Sequence, residues 1–193
     1  LSSWSTPFLY LEGKRPELIV NATTAIRSYD PATGKLLWQC RGPATSITTP
    51  TPVASSGLIL VSSGYLRDRV RPITAFIPGA SGDITLKEGE TKSDAIAWRQ
   101  DLAAPYIPSP VADKDYVYVL YDQGFFACYE VKTGREVYGK QRIVALEIAS
   151  GKPLWKKEFD IAGEIMPATL AVAEGRVAFV ADLADAQAVA GQS

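Results

Sequence analysis

One cassette recurs along this chain, and it constrains the fold more than any other feature. It first reads Ala25-Ile-Arg-Ser-Tyr-Asp30-Pro-Ala-Thr-Gly34-Lys-Leu-Leu-Trp38. It returns as Cys128-Tyr-Glu130-Val-Lys-Thr-Gly134-Arg-Glu-Val-Tyr138, and again as Ala145-Leu-Glu147-Ile-Ala-Ser-Gly151-Lys-Pro-Leu-Trp155. In each copy an acidic residue precedes the glycine by four positions and an aromatic follows it by four. Such spacing predicts a β-hairpin: a strand ending at the acid, a turn using glycine for a positive φ, and a return strand carrying the aromatic into the core.

A second cassette accompanies the first. Thr51-Pro52-Val-Ala-Ser-Ser-Gly57-Leu-Ile-Leu-Val61 matches Ser109-Pro110-Val-Ala-Asp-Lys-Asp115-Tyr-Val-Tyr-Val119, with looser copies from Thr6 and from Met166. Each reads as strand, tight turn, strand, with Val-, Ile-, Leu- and Tyr-rich runs. Joined, the cassettes predict four-stranded antiparallel units of roughly 40 residues in tandem, the mark of a β-propeller. The expected all-β chain is a partial or small propeller. Its blades lie at about 5–42, 49–102 and 106–139, with partial units at 143–159 and 166–193.

Two irregularities stand out. Trp98 is displaced from its turn by 83–94, read as a polar hairpin extension or loop on the second blade. Gly134 and Gly151 are much closer than one blade, which predicts a shortened unit or one completed by strands from elsewhere.

Little chemistry can be assembled from the residues. With no histidine, the Ser-His-Asp and Cys-His arrangements are excluded. Cys40 and Cys128 form no C-x-x-C pair and read as buried small hydrophobes. Asp113-Lys-Asp115 reads as a turn rather than a calcium loop, and no phosphate-binding glycine motif is present. Twenty basic against 21 acidic residues leave a net charge of −1, which disfavours nucleic acid and anionic membranes as partners. No apolar run is long enough to insert in a membrane.

The stretch Asp30-Pro-Ala-Thr-Gly34-Lys-Leu-Leu-Trp38 resembles the pyrroloquinoline-quinone-like repeat, whose blades end in Asp-x-x-Thr-Gly-x-x-x-Trp. The resemblance implies structural repeat positions at Gly34, Trp38, Trp98, Gly134, Tyr138, Gly151 and Trp155, the aromatics docking blade to blade. It implies a periplasmic or extracellular location. Its quinone-dependent dehydrogenase branch carries adjacent cysteines that this chain lacks. The expectation is therefore a non-enzymatic binding scaffold with no catalytic residue, cofactor or metal. Its partner is expected to be a protein or an extracellular polymer, met by strand-end aromatics such as Tyr65, Tyr106 and Tyr121. The alternatives are a truncated piece without independent activity and a dehydrogenase fragment. An open arc of blades leaves apolar faces, so a small closed ring, a ring-completing homo-oligomer or a poorly soluble fragment is expected.

Overall fold

The computed structural model describes residues 2–42, 45–121, 125–142, 144–146, 153–156, 169–173 and 176–180. Every regular element among them is a strand. Strand β1 (Ser2–Ser3) pairs in parallel with β6 (Ile47–Thr48).

Three sheets follow the chain order. The first contains β2 (Phe8–Tyr10), β3 (Glu17–Asn21), β4 (Ala25–Tyr29) and β5 (Leu36–Arg41), an antiparallel meander. The second contains β7 (Val53–Ser55), β8 (Leu58–Ser62), β9 (Ile73–Phe76) and β11 (Ile96–Gln100). The third contains β12 (Val111–Asp113), β13 (Tyr116–Leu120), β14 (Phe125–Glu130) and β15 (Glu136–Arg142). Two hairpins follow: β16 (Val144–Leu146) with β17 (Pro153–Lys156), and β18 (Thr169–Ala173) with β19 (Arg176–Val180).

The 83–94 stretch is not a hairpin extension of the second sheet. Its first residues form β10 (Gly82–Asp83), which pairs in parallel with β5 as a fifth strand on the outer edge of the first sheet. The Ile84 backbone N–H donates to the Gln39 carbonyl at 2.9 Å, and the Arg41 N–H donates to Thr85 Oγ1 at 2.9 Å. Arg41 and Asp83 form an exposed ion pair at 3.3 Å. Ile84 and Leu86 pack on the core beneath, so the excursion covers an edge strand that would otherwise present unpaired backbone groups.

Side-chain alternation builds two cores. Tyr10, Ile19, Ile26, Trp38 and Cys40 of the first sheet meet Ile59, Val61, Phe76 and Ile96 of the second. Leu60, Ile73, Ala75 and Trp98, on the opposite face of the second sheet, meet Val117, Val119, Ala127, Tyr129 and Val131 of the third. The middle sheet is thus covered on both faces, and its β8 reads as a continuous apolar run from Leu58 to Val61 for that reason. Each fully buried large aliphatic side chain contributes about 1.5–3 kcal/mol.

Candidate functional site

The Gly34 and Gly134 turns are alike in construction. Gly34 has φ +71° and donates to the Asp30 carbonyl at 2.8 Å, while Asp30 Oδ1 accepts from the N–H groups of Ala32 and Thr33. Gly134 has φ +69° and donates to the Glu130 carbonyl at 2.8 Å, while Glu130 accepts from Thr133 Oγ1 and pairs with Arg135. In these two cassettes the acid therefore organises its turn, and glycine adopts the left-handed conformation there without strain.

The aromatics stand opposite small residues across the last strand pair. Trp38 lies across from Ser28, Trp98 across from Ala75, and Tyr138 across from Cys128. A small neighbour leaves room for the ring to reach the next sheet. Trp38 stacks on Phe76 of the second sheet, with ring centroids 5.0 Å apart. Trp98 donates Nε1–H to the Val131 carbonyl of the third sheet's turn at 2.6 Å. A Cβ on Gly134 would meet the Trp98 ring at 2.5 Å, whereas one on Gly34 would meet nothing within 4 Å. Gly134 thus serves both the turn and the close approach of the preceding sheet. Tyr138 shares a hydrogen bond with the Cys128 thiol, and burial pushes that thiol up to about 12. Both cysteines are buried and free. Gly151 lies outside the described residues; Trp155 sits in β17 opposite Ala145.

Sequence reasoning missed Glu17. Its carboxylate is fully buried and accepts Trp38 Nε1–H at 2.6 Å, Ser28 Oγ–H at 2.7 Å and the Gly79 backbone N–H at 2.7 Å. Arg15, 3.9 Å away, supplies the nearest positive charge. The group ties three elements of the first sheet to the β9–β10 turn. Its parity was the available signal: Glu17, Ile19 and Asn21 all point inward from β3.

The sheet-to-sheet connections and the β8–β9 loop share one end of the blades. That loop, 63–72, is long and carries Arg67, Arg69 and Arg71. It is pinned by Asp68, which accepts from Ser46 N–H at 2.9 Å, Ser46 Oγ at 2.6 Å and Tyr65 N–H at 2.9 Å. Burial pushes the Asp68 carboxyl up, but these hydrogen bonds and the nearby Arg71 charge outweigh it and hold the group below its usual value. Arg71 is fixed by its backbone, N–H to the Asp101 carbonyl at 2.7 Å and C=O from the Ala104 N–H at 2.9 Å. Gly64 lies flush against its side chain.

Tyr65 and Tyr106 meet edge to face here, with centroids 5.1 Å apart, and Leu66 and Leu102 are exposed beside them. Tyr121 does not join this surface. It is buried between the second and third sheets, donating to the Ala103 carbonyl at 2.8 Å and touching the Tyr129 hydroxyl, because its ring points into the core rather than off the strand end. At the inner edges of the sheets, β2, β7 and β12 line an open groove of about 460 Å³ bounded by Phe8–Glu12, Val53, Ala54 and Pro110–Ala112. No cluster of three or more metal-ligating side chains occurs among the described residues.

Tandem four-stranded sheets docked aromatic-on-turn define a β-propeller protein of the pyrroloquinoline-quinone-like repeat class. The profile of the family described as "Outer membrane protein assembly factor BamB" matches residues 22–139, and the chain belongs to that family. Its structure is similar to that of BamB from Moraxella catarrhalis (14% identity, TM-score 0.53), over 93% of this chain and 45% of that one. The chain therefore spans less than half the length of that relative. The computationally designed Ika4 protein matches at 14% identity over 94% of this chain and 91% of its own, with a TM-score of 0.48. A europium-containing methanol dehydrogenase matches at 16% identity over 73% of this chain and 27% of its own, with a TM-score of 0.43. A comparison with curated proteins returned no match.

Proposed function

We propose that this chain is a non-catalytic interaction scaffold of an exported protein, periplasmic or extracellular, whose blades hold a binding surface for a protein partner. The observation that carries the reading is the connection end of the second and third sheets. There an edge-to-face tyrosine pair, exposed leucines and a backbone-anchored arginine stand on blades docked to one another. Tyrosine and arginine on a rigid support are the residues that dominate binding at protein interfaces. Membership of a family named for an assembly factor supports the same reading. In the double substitution Tyr65→Ala with Tyr106→Ala, partner capture is expected to fall while the far-ultraviolet spectrum stays unchanged. Undiminished capture would show that this surface is not the binding surface. The competing reading, a quinone-dependent dehydrogenase fragment, requires tight quinone binding with calcium, and a titration of the chain with both is expected to show none.

A further inference from the structure

We propose that the connection-end surface recognises a carboxylate-bearing, aromatic peptide segment, with the Arg71 guanidinium as the carboxylate receptor and the Tyr65–Tyr106 pair as the apolar platform. The inference rests on the scaffold reading above and names the chemistry of its partner.

Three observations converge. The first concerns charge. The 63–72 loop carries Arg67, Arg69 and Arg71 but only one acid, Asp68, whose oxygens are engaged by Ser46 and Tyr65. None of the three arginines has a carboxylate within ion-pair distance among the described residues, although Arg15, Arg41, Arg99 and Arg135 each do. The second concerns Arg71 itself. It is half-buried, and its Nε is buried with no hydrogen-bond partner, while its backbone is fastened on both sides by Asp101 and Ala104. The base of the side chain is packed against Gly64, and the guanidinium has no carboxylate within ion-pair distance among the described residues, so an incoming carboxylate would supply the planar acceptor that suits it. The third concerns the neighbours. Gly64, against which the Arg71 stem lies, precedes Tyr65, and Tyr106 follows Ala104 closely along the chain, so the aromatic pair and the arginine share one surface.

Charge complementarity selects an acidic partner. The extent of the patch selects a peptide: one arginine-bearing loop beside exposed Leu66 and Leu102 offers a mixed apolar and cationic contact. A track of phosphate contacts would need a wider basic stripe than a chain of net charge −1 provides here. Exposed Arg67 and Arg69 add long-range attraction and set the salt dependence of encounter.

The test is fluorescence anisotropy of a short labelled peptide alternating glutamate with phenylalanine, beside its glutamine counterpart, titrated with the full chain. The acidic peptide is expected to bind and the glutamine peptide to bind at least about tenfold more weakly, the range of a lost charge-assisted hydrogen bond. Arg71→Gln is expected to weaken binding about tenfold or more, and Arg71→Lys, which keeps the stem and the charge but not the fork, by a smaller factor. Arg41→Gln, which removes the same charge from the far edge of the first sheet, is expected to leave binding within about twofold of the unsubstituted chain. Equal loss in the Arg71→Gln and Arg41→Gln chains would overturn the proposal. So would equal binding of the two peptides, or binding confined to phosphatidylglycerol vesicles. The scaffold reading stands or falls separately, on whether the Tyr65 and Tyr106 substitutions abolish partner capture.

Discussion

At the residue scale, identical sequence signals carry different structural loads. Gly34 and Gly134 occupy the same turn position with nearly the same φ, yet only Gly134 lies beneath a tryptophan of the preceding sheet. Gly34→Ala is expected to cost about 1 kcal/mol, from backbone strain alone. Gly134→Ala adds a clash with the Trp98 ring and is expected to cost about 2–4 kcal/mol in chemical denaturation. Equal losses would refute the docking geometry. Glu17 makes the complementary case. Replacing it with alanine leaves Trp38 Nε1–H and Ser28 Oγ–H buried without acceptors, and a loss of about 2–5 kcal/mol is expected by the same measurement. A sequence reader sees a glutamate heading a strand. The partners that make it a clamp come from β4, β5 and the β9–β10 turn, and no local pattern encodes them.

At the scale of elements, the hairpins were legible because their signals are local. An acid, a glycine and an aromatic at fixed offsets specify a turn and its two strands without reference to the rest of the chain. The fate of 83–94 was not legible, because a parallel pairing onto β5 depends on where the first sheet's outer edge falls in space. Ile84→Pro tests that pairing by removing the N–H donated to Gln39. It is expected to lower stability by about 1–3 kcal/mol and to raise the tendency to self-associate, as the β5 edge becomes available. Unchanged stability and dispersity would mean that the excursion does not protect the edge. Tyr121 shows the same limit. Its place at a strand end is readable, but the direction of its ring follows from the contact between the second and third sheets.

At the scale of the whole molecule, the sheets cohere through buried aromatic and aliphatic contacts, and the titratable groups buried with them give the protein a pH signature. The Cys128 thiol, ordinarily near 9.0, is pushed up to about 12 by burial, and Tyr118 and Tyr138 are raised in the same direction. Below pH 9 the thiol is protonated in both folded and unfolded chains, so its contribution is fully present. Above pH 9 the unfolded chain releases its proton first, and stability falls until the pH passes the folded value. Denaturation midpoints are expected to decline between about pH 9 and pH 12, and Cys128→Ala to flatten the first part of that decline. A midpoint constant across that window would contradict the buried thiol.

On the proposed reading, these docked blades present a partner-binding surface at their connection end. Photo-cross-linking addresses it most directly, with a photoreactive residue at Leu66 on that end in one chain and at Lys132, exposed on the opposite turn end, in another. Adducts with a discrete partner are expected from position 66, disappearing when Tyr65 and Tyr106 are replaced by alanine, and none from position 132. Adducts from position 132 alone, or from both positions alike and indifferent to the tyrosines, would contradict it.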